Sequence, residues 1–214
     1  MGEHTEVILV HGLWYRAWSL RILRGRLENA GFHLRSFSYP TRTRSVEANA
    51  SALKRFASQS QVARQHFVAH SLGGLVTLAM LSRQNELPPG RLVLLGTPMQ
   101  GSQVARRVVN WPAGGFMLGQ AAQVLQQGHP DVAPGRETGM IAGMKSLGLG
   151  RLTGRLGHFH DGTVTVEETQ SALLDDRIEL PVTHTGMLLS HDVALQAASF
   201  LRKGHFKRPD LGLR

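Results

Sequence analysis

Six short runs, most of them rich in aliphatic residues, punctuate the chain, at residues 7–10, 34–37, 67–69, 92–95, 140–142 and 178–182. Between them lie longer stretches whose apolar residues recur every three or four positions. Residues 19–30 carry Leu20, Leu23, Leu27 and Ala30 in that spacing, and residues 46–58 carry Val46, Ala50, Leu53 and Ala57. Residues 193–201 follow the same rule, and residues 75–81 form a further helical stretch that continues directly from the third run. Nearly continuous apolar runs belong to strands covered on both faces, and a 3.6-residue period belongs to a helix with one buried side. Alternation of the two predicts an α/β domain with about six mainly parallel strands and helices on both faces of the sheet. No Pro/Gly/Ser-rich linker divides the 214 residues, so the chain reads as one domain.

One connection is longer than a crossover needs. More than 40 residues separate the fourth run from the fifth, where a dozen or so suffice. The surplus, at about residues 99–138, holds an apolar loop with Trp111 and Phe116. It is followed by an amphipathic pattern over residues 118–127, with Leu118, Ala121, Ala122 and Leu125 on one side. Such an insertion beside an α/β sheet serves either as a lid over a site or as packing against the sheet edge.

Composition removes several classes of function. With no cysteine there are no disulfides, thiolate nucleophiles or cysteine-held metal clusters. The net charge is +9, but 20 of the 24 basic residues are arginines scattered along the chain, with no block of five or six. That pattern suits a solvated surface, and no nucleic-acid partner is expected. No phosphate-cradling glycine loop follows any strand, so no nucleotide cofactor is expected. No apolar run reaches the ~18–20 residues of a membrane span, and the first residues lack a leader's basic and apolar regions. A cytoplasmic location is expected, with membrane contact at most peripheral.

Two motifs carry chemistry. In Phe67-Val68-Ala69-His70-Ser71-Leu72-Gly73-Gly74 a strand ends in a serine between small residues and a helical pattern begins at once. A sharp strand–turn–helix of this kind lifts the serine Oγ above the sheet as a nucleophile. The alternative is that Ser71 merely caps the helix. The first strand runs into His11-Gly12-Leu13-Trp14, at the sheet edge where α/β proteins place their crevice. An oxyanion needs two converging backbone N–H groups, which assigns Leu72, after the nucleophile, and Leu13, in a turn that Gly12 permits. His11 and Gly12 thus border the expected substrate site, with His11 reading as a brace for the loop and not as a base. Trp14 either lines the same pocket or packs the first helix. Trp111 and Phe116 are further candidates for contact with substrate.

These segments resemble the α/β-hydrolase superfamily, especially its small bacterial lipases and esterases. Alanine ahead of the x-Ser-x-Gly is a variant known in one group of such lipases, and Gly96-Thr97-Pro98 is similar to a segment of lipase-like relatives. The resemblance runs through most of the chain in strand order, but only these motifs are specific. It implies a catalytic order of Ser, then Asp or Glu, then His. Asp161, in His160-Asp161-Gly162-Thr163-Val164, matches the acid-bearing segment. His184, directly after the sixth run, matches the base and is preferred over His191. Asp131 falls in the insertion, and Asp175 and Asp176 fit a turn entering the last strand. The cluster His158-Phe159-His160-Asp161 also allows a metal site, but no His-Glu-x-x-His helix exists and no metal is expected.

The resulting expectation is a serine hydrolase cleaving carboxylic esters, small or lipid-like, through Ser71, His184 and Asp161. An acyltransferase, or an amide or thioester hydrolase, would carry the same three residues. A non-catalytic lipid- or partner-binding protein of the same fold is the alternative outside enzymology.

Overall fold

The computed structural model describes residues 5–82, 86–129, 131–132, 134–147 and 159–208. Its strands are β1 (Thr5–Val10), β2 (His33–Phe37), β3 (Arg64–His70), β4 (Leu92–Leu95), β5 (Thr138–Gly143) and β6 (Asp176–Leu180). They form one sheet in the order β2-β1-β3-β4-β5-β6, and every pairing is parallel. The continuous apolar runs follow from this layering. Ile8 and Val10 point into one core while Val7 and Leu9 point into the other, and Leu92 and Leu94 alternate with Val93 and Leu95 in the same way.

Helices cover both faces. Helix α1 (Arg21–Asn29) and the C-terminal helix bury Leu20, Leu23 and Leu27 against Val193, Ala197 and Phe200 on one side. On the other side lie α2 (Val46–Ala57) and α3 (Leu72–Leu81), together with three short helices between β4 and β5. These are α4 (Gln103–Val108), α5 (Gly114–Leu118) and α6 (Ala122–Gln127), and the C-terminal helix is α7 (His191–Lys203). Serine side chains cap three of the helices. Ser45, Ser102 and Ser190 accept from the backbone N–H of Ala48, Ala105 and Val193.

Three sequence expectations shift. The last strand ends at Leu180 and not at residue 182, because Pro181 has no N–H to continue a ladder. The third helix, read over residues 75–81, starts at Leu72, directly after Ser71. The single helix expected over residues 118–127 is broken at Gly119, whose φ of +56° ends α5.

Register places the site. Val10 pairs with both Phe37 and Ala69, Ala69 with Leu94, and Leu95 with Ile141. The carboxyl ends of the strands are therefore level, and the loops after them open on one edge. Strand order also reverses around β1, where crossovers leave on opposite faces and a crevice opens.

His11, His66 and His70 are three of the histidines buried in this framework. On β3, His66 accepts a hydrogen bond at Nδ1 from Arg91 N at 2.8 Å. Burial, aided by the charges of Arg136, Arg91 and Arg64, lowers its pKa from 6.5 to about 4. Burial likewise lowers His11 and His70. Below pH 6.5 the unfolded chain takes up a proton that folded His66 refuses, so stability falls as pH drops, levelling near pH 4. His66 alone should cost about 2 kcal/mol by pH 5. The thermal midpoint should fall between pH 7 and pH 5, and less steeply in His66→Asn, whose Oδ1 can still accept from Arg91. An equal slope in the two proteins would contradict this account.

Candidate active site

Ser71 sits between β3 and α3 with φ +54° and ψ −123°. A side-chain-bearing residue held there costs of order 1–3 kcal/mol and persists only when its surroundings enforce it. Here Ser71 N donates to Leu95 O and Gly74 N donates to Ser71 O, both at 2.9 Å, while the Thr97 hydroxyl donates to Ser71 O at 3.2 Å. Gly73 allows the helix to close on β1, since a Cβ there would lie 2.5 Å from His11 O and 2.7 Å from Val10 O. Unlike Ser45, Ser102 and Ser190, Ser71 makes no side-chain cap bond, although it occupies the cap position of α3. The helix-capping alternative is therefore not what its hydroxyl does.

Asp161 and His184 meet although 23 residues separate them. His184 Nδ1 lies 2.6 Å from Asp161 Oδ2, and both residues are buried. The other carboxylate oxygen, Oδ1, accepts from Thr163 N at 2.9 Å and Val164 N at 2.7 Å. The backbone joins them too, with His184 N donating to Asp161 O at 2.9 Å. The loop amides thus hold the carboxylate, and the carboxylate as acceptor fixes the imidazole proton on Nδ1, leaving Nε2 as the basic nitrogen. Gly96 lies beneath the pair with φ +55°, and a Cβ there would come within 3.0 Å of Asp161 Oδ2 and 3.1 Å of His184 Nδ1.

His70 was legible only as a variable position of the serine motif. It is buried at 1% exposure, its ring centroid is 4.6 Å from that of His184, and its Nε2 is 3.0 Å from His184 O. Burial and the neighbouring imidazole hold it neutral, so Nε2–H donates and pins the backbone of His184. Burial exists in the fold and not in the residue pattern, so no sequence signal distinguished it.

The loop after β1 is a turn closed by Tyr15 N donating to Gly12 O at 3.3 Å, with Trp14 at φ +63°. Two bonds hold that conformation: Trp14 N donates to Thr41 Oγ1 at 3.2 Å, and Trp14 Nε1 donates to Met117 O, on α5, at 2.9 Å. The structure puts His11 under this turn and not on a cavity wall. It is fully buried, stacks on Tyr39 with centroids 4.5 Å apart, and accepts Tyr39 N at Nε2 while Nδ1 donates to Gly12 O. Gly12 is also buried, packed against His70 and Ser71.

A cavity of about 360 Å³ opens on these residues. Ser71, His184, Leu13 and Trp14 line its floor and rim, and Val104, Val108, Leu118 and Leu125 of α4–α6 form an apolar wall. Leu72 opens α3, so its N–H belongs to the first turn and has no partner within the helix. Trp111 and Phe116, expected at the substrate, are not among the lining residues. Trp111 packs on the core cluster, and Phe116 is 75% exposed under the Arg42 guanidinium.

The remaining candidates lie elsewhere. His191 and Asp131 are exposed. Asp175 accepts from Thr138 N at the opposite end of the sheet, and Asp176 pairs with Arg208. His160 accepts Gly162 N, and His158 lies outside the described residues. Among the described residues no three His, Asp or Glu side chains are grouped to hold a metal ion. None of the described helices is long and apolar enough to cross a membrane.

An all-parallel sheet with a strained serine after its third strand, and a paired Asp and His on loops of the same edge, defines the α/β-hydrolase class. The chain belongs to the Alpha/beta hydrolase family, whose family model matches residues 7–205. A search of curated protein sequences gives no significant match. Among solved structures, the mature lipase BlEst2 of Bacillus licheniformis is similar at a TM-score of 0.72 and 18% identity, over 92% of this chain and 90% of that one. A metagenomic carboxyl esterase gives 0.66 at 15% identity, over 86% of this chain and 65% of that one. The RedJ thioesterase of Streptomyces coelicolor gives 0.60 at 14% identity, over 91% and 85%. At these identities the likeness is one of fold.

Proposed function

We propose that the protein is a serine hydrolase of carboxylic esters, acting on small or lipid-like substrates through Ser71, His184 and Asp161. The observation that carries this reading is Ser71 on the same cavity as His184, whose Nδ1 is 2.6 Å from a buried Asp161. Ser71 Oγ attacks the ester carbonyl while His184 Nε2 takes its proton, and Asp161 stabilises the imidazolium. The N–H groups of Leu13 and Leu72 receive the developing oxyanion. Collapse returns the proton from His184 to the departing alkoxide and leaves an acyl group on Ser71 Oγ. Water, activated by the same His184, then releases the acid and restores the serine.

The apolar wall of α4–α6 points to a hydrocarbon acyl group. Each buried methylene is worth about 0.8 kcal/mol, so kcat/KM should rise roughly fourfold per added carbon until the cavity is full. p-Nitrophenyl esters from acetate to palmitate test this, beside matched thioesters. The expected result is ester hydrolysis with a preferred chain longer than acetyl. Hydrolysis of thioesters alone would replace the ester reading with the thioester one. A folded protein inert toward both would contradict the proposal.

A further inference from the structure

A second cleft, of about 650 Å³, lies beside the first, and Trp14 and Tyr15 form part of both walls. Its lining is more polar and carries positive charge. Arg16, Arg42, Thr41 and Thr43 line it, and no carboxylate does. Among the described residues neither arginine takes part in an ion pair. The Arg42 guanidinium is held over the Phe116 ring, 4.5 Å from its centroid. That contact fixes the group at the cleft without neutralising it. Trp14, which the two clefts share, is held by its bonds to Thr41 and Met117.

An ester bound at Ser71 sends its acyl half along the apolar wall of α4–α6, and its alcohol half must leave by another route. We infer that the cleft around Arg16 and Arg42 receives an anionic group on the alcohol half of the substrate, so that esters of phosphate-bearing alcohols are preferred over neutral ones. This rests on the ester-hydrolase reading and adds to it the class of leaving group. Two guanidinium groups and two threonine hydroxyls lining one cleft match a phosphate in charge and in hydrogen-bond donors.

The test compares 1-octanoylglycerol with 1-octanoylglycerol 3-phosphate, which share acyl group and scissile bond and differ only in the phosphate. The quantity read is the ratio of kcat/KM for the two, in the full chain and in the double variant Arg16→Gln, Arg42→Gln. The ratio should favour the phosphate ester in the native protein and fall about tenfold in the double variant. It should fall also in the native protein when salt is raised to about 0.5 M, because the cleft is open and its charges are screened. A ratio that neither the substitutions nor salt alters overturns the anion cleft and leaves ester hydrolysis standing. Hydrolysis of neither ester overturns the ester-hydrolase reading, and this one with it.

Discussion

Replacing Ser71 by Ala is expected to lower kcat for ester hydrolysis by about four to six orders of magnitude with little change in thermal midpoint. The size of the loss follows from the division of labour at the site. Without Oγ there is no acyl-enzyme, and His184 has no hydroxyl to deprotonate. On the proposed mechanism, what survives is substrate binding and oxyanion stabilisation by Leu13 and Leu72, worth a residual ~10³–10⁴ over uncatalysed hydrolysis. The stability readout separates this from the capping role. A serine that capped α3 would cost about 0.5–2 kcal/mol on truncation. Ser71 makes no such bond, so the melting curve should barely move. A variant that keeps more than a hundredth of native activity would exclude Ser71 as nucleophile.

Asp161→Asn is expected to cost about 10⁴-fold in kcat while the protein stays folded. The loss comes from a change of tautomer. Thr163 N and Val164 N both donate to Oδ1, so the carboxamide must turn its oxygen toward them. Its NH₂ then faces His184 Nδ1, which becomes the acceptor, and the imidazole proton moves to Nε2. An imidazole protonated there cannot take the Ser71 proton. The expected signature is a fall in kcat with KM little changed, since the variant still binds substrate. A loss below tenfold would mean that Asp161 is not orienting the base.

Much of this arrangement was readable from residues because strong local rules coincide there. Phe67–Gly74 has strand pattern, small residues and helix pattern in immediate succession, and only one backbone geometry satisfies all three. Asp161 was different. Eleven acids follow Ser71 in the chain, and burial, which separates Asp161 at 1% exposure from exposed Asp131, is a property of the fold. Family resemblance to its segment identified it, not periodicity. The contributions of His70 and Gly96 were hidden because each acts through contacts with residues more than 60 positions away. Trp14 read either as a pocket-lining residue or as packing for the first helix. Its indole N–H holding α5 depends on Gly119, which breaks the expected helix and sets where α5 ends. Trp111 and Phe116 lie off the cavity lining, and aromatic character in an insertion says nothing about which side faces the cavity.

The most direct test of Ser71 as an activated nucleophile is covalent labelling with a fluorophosphonate, followed by peptide mass spectrometry. Attack by Ser71 Oγ on phosphorus expels fluoride and leaves a stable phosphonyl ester. The account predicts one label per chain, on Ser71, lost in Ser71→Ala and slowed in Asp161→Asn. A folded native protein that stays unlabelled, or carries its label on another residue, would contradict it.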